Sequence, residues 1–255
     1  MSAMIAFDYG NALQTRANPQ SVKPRAQNGT TYNTKLQKQV QHDGVCGSLD
    51  HLARRVEVCA KPLMDLLQGT VEKWPRTDDD AMSLCNSFSV SERCIREASR
   101  QCGKGIQKTI VSTLAQSIGR ARKRECSKTK YPGIVKTTMC LETNQIIVHD
   151  WMANVTGRLS AIELQTSEAD KKINNVCCMV RDIESEIKQI LGPLCPAESA
   201  LVGRLYRAVV EDVIELICRN PKCNNYLKGY NVTKDQNFSG LISVLLRIIF
   251  SLDNN

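Results

Sequence analysis

The feature that most constrains this chain is a pair of adjacent cysteines, Cys177 and Cys178, inside a strongly amphipathic segment. Gly192-Pro193 predicts the end of that segment's helix, because proline cannot continue the hydrogen-bond ladder. Apolar residues recur there at alternating spacings of four and three over about six turns, which is the pattern of one buried helix face: Ala169, Ile173, Val176, Val180, Ile183, Ile187 and Ile190.

The two neighbouring sulfurs leave this helix in different directions. At about 100° per residue, Cys177 lies beside the apolar stripe, and Cys178 lies on the opposite, polar face together with Asn174, Asp182 and Ser185. A disulfide between adjacent cysteines is strained, so we expect each to bond to a different cysteine in a different helix. The sequence therefore predicts a central helix that is stapled to two other parts of the chain.

Cysteine is frequent in this chain, and its number is even. There is no Cys-x-x-Cys and there are only three histidines, so the spacing of zinc ligands is missing. Disulfides in an oxidising compartment explain the pattern better than a metal does. The alternative is a set of buried free thiols, since free cysteine packs as a small hydrophobic residue. All twelve cysteines are disulfide candidates: Cys46, Cys59, Cys85, Cys94, Cys102, Cys126, Cys140, Cys177, Cys178, Cys195, Cys218 and Cys223.

Helical periodicity begins shortly after residue 45. Ser48 is placed to cap a first helix, which Pro62 should end or kink near Lys61. Three aspartates at 78–80 favour the start of a short second helix, because negative charge is stabilising at a helix N-terminus. Ser91 then predicts the cap of a separate helix that ends at Gly103.

The remaining segments also read as helices. One is marked by apolar residues from Ile106 to Ile118, and Tyr131-Pro132-Gly133 predicts a turn after it. A weaker pattern predicts a helix from Ile134 to Met152, with a break at Asn154 and Gly157 before the central helix. A clear apolar stripe after Cys195-Pro196 predicts one further helix before the apolar C-terminal segment.

The first 45 residues differ from the rest. They are rich in Asn, Gln, Thr and Lys and show no apolar periodicity, which predicts a flexible arm, with a propeptide as the functional alternative. Residues 46–255 are expected to form the cysteine-rich helical domain. The predicted fold class is therefore all-α: a disulfide-stapled multi-helix bundle with a flexible N-terminal arm.

Several features bear on location. The first sixteen residues lack the apolar stretch of about 7–15 residues that a signal peptide needs, yet the cysteine content leads us to expect an extracellular protein, with its true start upstream or another export route. Leu241 to Leu252 contains Arg247 and is too short to span a bilayer, so it predicts a helix that faces the core or a partner. Four Asn-x-Ser/Thr sequons are glycosylation candidates: Asn28, Asn154, Asn231 and Asn237.

One short motif resembles an enzyme. Residues 177–182, Cys-Cys-Met-Val-Arg-Asp, resemble the active-site helix of secreted phospholipases A2, which reads Cys-Cys-x-x-His-Asp. Arg181 stands where the catalytic histidine would be, and the Gly-rich calcium loop is missing upstream. Without an imidazole there is no general base, so that activity is not expected.

Other candidate chemistry is equally incomplete. His149-Asp150 could act as an acid–base pair, but no nucleophile motif accompanies it. His51 has no metal-ligand partner in sequence, and Gly103–Thr109 has Gln107 in place of the second glycine of a phosphate-binding loop. We predict a protein that is not an enzyme, with no catalytic residue, metal or cofactor.

The densest charge cluster follows the apolar segment from Ile106 to Ile118, in a chain of net charge +8. Three interpretations compete: cations that stabilise a helix C-terminus, a surface for an anionic glycan or lipid, and dibasic processing after Arg124. Cys126 and the lack of interleaved aromatic residues argue against a nucleic-acid surface. The candidate polyanion-binding residues are Arg120, Arg122, Lys123, Arg124, Lys128 and Lys130.

The cysteine spacing resembles a known family. The segments LCNSFSVSERCI, followed by Cys102, and VCCMVRDIESEIKQILGPLC are similar to the insect haemolymph glycoprotein family, over about residues 46 to 225. This resemblance implies an extracellular helical protein, often glycosylated, without established catalysis and without assigned site residues.

Two functions follow as expectations. The first is a non-enzymatic secreted binding protein, a carrier or host-interaction factor, whose unknown ligand or partner protein occupies a groove between stapled helices or the basic face. The alternative is an extracellular matrix or fibre component with some disulfides between chains. A hydrolase with a lipase-like scaffold is a third hypothesis, and the incomplete motifs described above argue against it.

Overall fold

The chain forms an all-α structure, as its sequence predicts. The structure is a computed structural model, and it describes residues 46, 48–68, 74–218, 220–227, 229–233 and 241–251. The arm predicted for residues 1–45, with Asn28, and the sequon at Asn237 lie outside the described residues. The part that is described contains no β-strand.

Eight α-helices are present among the described residues, together with one 3-10 turn at Lys128–Lys130 between the third and fourth helices. In chain order they are α1 (Leu49–Gln68), α2 (Asp78–Cys102), α3 (Gly105–Glu125), α4 (Tyr131–Thr143), α5 (Gln145–Gln165), α6 (Ala169–Leu194), α7 (Ser199–Ile217) and α8 (Leu241–Phe250).

The helices share one main core. Helix α2 packs between α1 and α3, α7 packs against both α3 and α6, and α8 packs chiefly on α1. Buried residues from all eight helices contact each other in that core. The apolar stripe of α6 faces it as predicted, because five of the stripe's seven residues are buried: Ile173, Val176, Val180, Ile183 and Ile187.

The separate helix predicted after Ser91 is wrong, because α2 is continuous from Asp78 to Cys102. Its true cap is Thr77, whose side chain accepts a hydrogen bond from the backbone of Asp80 while the Asp80 carboxylate accepts one from the backbone of Thr77. Ser91 is completely buried in the middle of α2. A small polar residue signals a cap only where the chain is exposed, and here it allows close packing instead.

Pro62 does not end α1 near Lys61, since the helix continues to Gln68. Proline removes one backbone hydrogen bond and crowds the preceding turn, which favours a break in an isolated helix. Here Cys59 is bonded to α2 on one side of Pro62, and Met64 is buried on the other. Burial of residues on both sides offsets the free-energy cost of a proline inside the helix.

Two predictions around α4 and α5 are also wrong. Tyr131-Pro132-Gly133 is the first turn of α4, where proline is favourable because its missing N–H would be unpaired anyway. The single helix expected from Ile134 to Met152 is two helices that meet at Asn144, whose side-chain amide donates to the carbonyl of Cys140 at 2.9 Å. No break occurs at Asn154 or Gly157, both of which lie inside α5.

All twelve cysteines are paired within the chain, with Cα–Cα separations of 5.0 to 6.2 Å. Three bridges connect residues before 127, and three connect residues after 139. They are Cys46–Cys102, Cys59–Cys94, Cys85–Cys126, Cys140–Cys195, Cys177–Cys218 and Cys178–Cys223.

The prediction for Cys177 and Cys178 is confirmed in one respect and wrong in another. Cys177 and Cys178 bond to different cysteines, as expected. Their partners are not in different helices, because Cys218 ends α7 and Cys223 lies in the segment just beyond it. The chain after α7 wraps from the flank of α6 onto its opposite face, so one short segment receives both sulfurs.

Candidate functional site

The polar face of α6 is covered by the segment that follows α7. The side-chain amide of Asn174 donates to the carbonyl of Lys222 at 3.0 Å, and the backbone N–H of Lys222 donates to the Asn174 side chain at 2.8 Å. Asn175 donates to the hydroxyl of Tyr230 at 2.8 Å. Together with the Cys178–Cys223 bridge, these contacts bury Cys178 and Asn175, which the helical pattern alone would place towards solvent.

An ion pair lies between α5 and α6. The two terminal nitrogens of Arg158 each donate to one carboxylate oxygen of Glu186 at 2.7 Å. Arg158 is only 7% exposed. Burial by itself lowers the pKa of Arg158, but the hydrogen bonds and charge of Glu186 more than offset this, so the pKa is raised above its ordinary value. Such two-point pairing fixes both side chains and keeps Arg158 charged.

Glu186 has a third hydrogen-bond donor besides the two nitrogens of Arg158. The indole N–H of Trp151, two turns before Arg158 on α5, donates to Glu186 at 2.8 Å. Glu186 therefore accepts three hydrogen bonds, and its carboxylate is committed to holding the arginine and the indole. This arrangement orients the half-buried Trp151 ring at the surface.

Two tyrosines pack around the same region. The hydroxyl of Tyr206 on α7 donates to the carbonyl of Val180 at 2.9 Å. Burial, followed by the negative charges of Glu184 and Glu186, raises the pKa of Tyr206 well above its ordinary value. Burial and the neighbouring Asp182 carboxylate likewise raise the pKa of Tyr226. Both hydroxyls stay protonated at neutral pH, and that of Tyr206 acts as a hydrogen-bond donor.

An open cleft of about 370 Å³ lies between α5 and α6. Its apolar walls are Ile147, Trp151 and Ile190, and Asp150 and Asn154 bring polar groups to it. Glu186 forms part of its floor with the indole contact described above. Ile146, the neighbour of Ile147, is 82% exposed but does not line the cleft.

The sequence carried only part of the signal for this cleft. Ile147, Trp151 and Asn154 recur at helical spacing on α5, and that spacing places them on one face. Nothing local indicates that this face opposes Glu186 and Ile190 on another helix. The sign available in the sequence was Arg158, the single charged residue between Met152 and Ile162, because a charge in such a stretch needs a partner if the stretch is buried.

The predicted basic cluster is grouped at the C-terminal end of α3, where cations favour the helix dipole. Four of its six members are paired with carboxylates. Arg120 pairs with Asp212, Arg122 with Glu92 at 3.6 Å, and both Arg124 and Lys130 with Glu125 at 3.2 and 3.4 Å. Lys123 and Lys128 are exposed.

Two sequons fall within the described residues. Asn154 is half-buried in α5 at the cleft, and the hydroxyl of Thr156 in its sequon is buried and donates to the carbonyl of Met152 at 2.9 Å. Asn231 is exposed, and its backbone N–H and carbonyl both bond to the side chain of Gln165 at 2.9 Å. Of the two side chains, that of Asn231 is the more accessible.

The candidate catalytic residues are not brought together into a site. Arg181 is exposed on α6, and His149-Asp150 lies on α5. Gly103 ends α2 and α3 begins at Gly105, so this glycine-containing stretch is a connection between helices. Within the described residues, no group of three or more His, Cys, Asp or Glu side chains could hold a metal. No helix in that part of the chain has the length and hydropathy needed to cross a membrane.

Comparison with known proteins returns no match, whether against family models, curated proteins or solved structures.

Proposed function

We propose that this chain is an extracellular binding protein that acts without catalysis and holds a small amphipathic ligand in the cleft between α5 and α6. The observation that carries the proposal is the oriented tryptophan in that cleft. Trp151 forms an apolar wall, and the Arg158–Glu186 pair beneath it fixes the indole before any ligand arrives.

The lining of the cleft indicates the ligand's chemistry. This open cleft combines apolar walls with a few polar groups, as small-molecule sites do. An apolar ligand body would contact Trp151, Ile147 and Ile190. Asp150 and Asn154 add polar groups to the lining, which suits a ligand with one polar end.

The wall of the cleft is organised in advance. Binding affinity is lost whenever side chains must be ordered on association. The Trp151 ring has already lost this freedom through its bond to Glu186, and Glu186 is itself held by Arg158 at two points. Because both oxygens of Glu186 are occupied, its role is to position the indole and not to transfer protons.

The disulfides support an extracellular location and favour binding over a structural role. Six bridges are typical of proteins from oxidising compartments. All twelve cysteines pair within one chain, so the alternative of a fibre linked by inter-chain disulfides would require some of these bridges to be exchanged. The resemblance to insect haemolymph glycoproteins stays a prediction and agrees with this proposal.

The proposed ligand site predicts which of the two described sequons carries a glycan. A glycan on Asn154 would stand at the cleft and compete with a ligand, whereas one on Asn231 would leave the cleft open. We therefore expect glycopeptide analysis of native protein to find Asn231 occupied and Asn154 unmodified. A glycan on Asn154 would argue against the cleft as the ligand site.

The experiment uses the intrinsic fluorescence of Trp151. The chain has two tryptophans, so Trp74→Phe leaves Trp151 as the reporter. N-phenyl-1-naphthylamine, a neutral apolar dye that accepts energy from tryptophan, should quench Trp151 with saturation. Decylamine and decanoate should both displace the dye, because the two share the apolar body that would contact Trp151, Ile147 and Ile190.

Two neighbouring substitutions test whether the dye binds in the cleft. Ile147→Asn should weaken dye binding about tenfold through the lost apolar contact, and Ile146→Asn should leave it unchanged. Both side chains are exposed on the same turn of α5, so both variants should fold. Equal effects of the two substitutions, or no saturable quenching of Trp151, would overturn the proposed site.

A further inference from the structure

The carboxylate of Glu125, at the C-terminal end of α3, is shared by three basic side chains. Arg124 approaches it at 3.2 Å, Lys130 at 3.4 Å and Arg204, from α7, at 3.6 Å. The side chain of Glu125 is only 4% exposed, whereas the three cations are each about half exposed. One buried anion therefore gathers cations from α3, the 3-10 turn and α7.

Further contacts position these cations. The ammonium group of Lys130 donates to the carbonyl of Arg124 at 2.5 Å, and the guanidinium of Arg124 donates to the carbonyl of Arg204 at 3.2 Å. Arg124 and Lys130 are thus fixed on their inner sides, and Arg204 is held by its ion pair with Glu125. About half of each side chain still faces solvent. We call Arg124, Lys130 and Arg204 the Glu125 cluster.

The cluster carries excess positive charge. One carboxylate neutralises one of its three cations, and the exposed Lys123 and Lys128 lie next to it in sequence. Arg120 and Arg122 differ, because Asp212 and Glu92 pair with them individually. The structure therefore shifts the centre of the basic region predicted from sequence and adds Arg204, which is 80 residues away along the chain.

We infer that the Glu125 cluster binds the sulfate groups of a sulfated polysaccharide. Guanidinium and ammonium groups donate several hydrogen bonds to the oxygens of such anions, and the buried Glu125 holds the three donors close together in advance. Within the described residues, no large apolar side chain is exposed between 120 and 133 or between 199 and 207. Proteins that bind membrane surfaces add such side chains to their cations, so the cluster fits a water-soluble polyanion better than a lipid surface.

The test is the affinity of single-charge variants for heparin at several salt concentrations. Lys130→Gln and Arg204→Gln should each weaken binding about three- to tenfold near physiological salt, and each should reduce the salt slope by about one contact. Lys108→Gln is the matched control. It removes one exposed charge from the same helix, about 24 Å from Arg124 at 1.5 Å per residue, and should change affinity less than twofold.

A variant that removes a negative charge provides a second test. Glu125→Gln adds one net positive charge but removes the anion that holds the three donors together. The proposed cluster therefore predicts weaker heparin binding for this variant, whereas net charge alone predicts stronger binding. If this variant does not fold, as judged by circular dichroism, the comparison of Lys130→Gln with Lys108→Gln still decides. Hyaluronan, which carries carboxylates but no sulfates, should bind much more weakly than heparin.

Three outcomes would overturn the inference. Equal losses in Lys108→Gln and Arg204→Gln would show that net charge alone governs binding. Equal affinity for hyaluronan and heparin would remove the role of sulfate. Binding to phosphatidylserine vesicles but not to heparin would make the surface a lipid contact instead.

Discussion

The helices α1–α3 and the helices α4–α7 are each closed by three disulfides and contribute to one core, but a buried arginine distinguishes the second group. Small side chains are completely buried along α1–α3, including Ala53, Ala98, Ala115 and Ser91, which lets neighbouring helices approach closely. The second group packs into the same core and adds a polar contact, the pair between the buried Arg158 and Glu186. Close packing of small residues therefore marks the first group, and the ion pair of a buried arginine marks the second.

The bridges themselves also differ between the groups. Cys85–Cys126 closes a loop of 41 residues that no other bridge shortens. Cys177–Cys218 and Cys178–Cys223 start one residue apart and end five residues apart, so once one has formed, the other closes only a very short extra loop. The second group therefore contains a redundant pair, and the first does not.

Complete reduction should have the largest effect and should remove the difference between the groups. Each bridge contributes about 2–4 kcal/mol, although not additively, so reduction should lower the melting temperature sharply. Before reduction, thiol titration of the denatured protein should find at most one or two free cysteines. Ten or more free thiols would contradict the pairing described above.

Removal of the redundant pair tests the comparison of bridges. Replacing Cys177, Cys178, Cys218 and Cys223 by alanine should cost about 6 kcal/mol, whereas removing either bridge alone should cost about 2 kcal/mol, because the survivor already closes the loop. Urea unfolding measures each value. Replacement of Cys85 and Cys126, with an expected cost of about 4 kcal/mol, is the reference from the first group. Equal costs for all three single-bridge removals would contradict the redundancy.

Arg158→Met tests the Arg158–Glu186 pair of the second group. The substitution leaves Glu186 partly buried without its cation and should lower the free energy of unfolding by about 3 kcal/mol. Arg158→Met combined with Glu186→Met should recover most of this loss, since no uncompensated charge remains. Urea unfolding followed by Trp151 fluorescence reports both the stability and the freed indole. A double variant as unstable as the single one would show that the pair itself, and not the orphaned charge, matters.

Gly103→Ala should have the smallest effect and tests the close packing of the first group. An added Cβ would lie 2.6 Å from the carbonyl oxygen of Ser99 and 2.9 Å from the Cα of Lys108, so the connection between α2 and α3 must shift. We expect a loss of about 1–2 kcal/mol. Gly133→Ala on α4 is the control: no atom lies within 4 Å of its Cβ, and better helix propensity should raise stability by up to about 1 kcal/mol. Thermal melts of both variants give the comparison.

The fold class could be predicted because helical periodicity is a local property. The stripe on α6 and the end of α2 at Gly103 follow from residues within a few turns of each other. An error arose where tertiary packing overrides a local signal, as at Ser91, which lies inside a continuous helix and not at a cap. At Pro62 the predicted end of α1 is wrong, because the helix continues to Gln68, whereas the kink stays a prediction.

The candidate site was harder to predict, since its contacts join distant residues. Asn174 bonds to Lys222, and Arg158 to Glu186, across separations that no helical pattern reports. Asn174, Glu186 and Lys222 have the polar character of solvent-facing positions, and only Arg158 stands in an apolar stretch. The basic run was visible in sequence, but its partners Asp212 and Arg204 on α7 were not.

The distribution of the disulfides has a consequence for a cleaved molecule. No bridge joins a residue before 127 to one after 139, so in that interval the peptide backbone is the only covalent link. Lys128 and Lys130 are exposed there. A cut after either lysine would produce two chains, each closed by its own disulfides and held to the other by the contacts of α3 with α7 and of α1 with α8. Such a heterodimer would have a dissociation constant, and its melting temperature would rise with protein concentration where that of the uncut chain stays fixed.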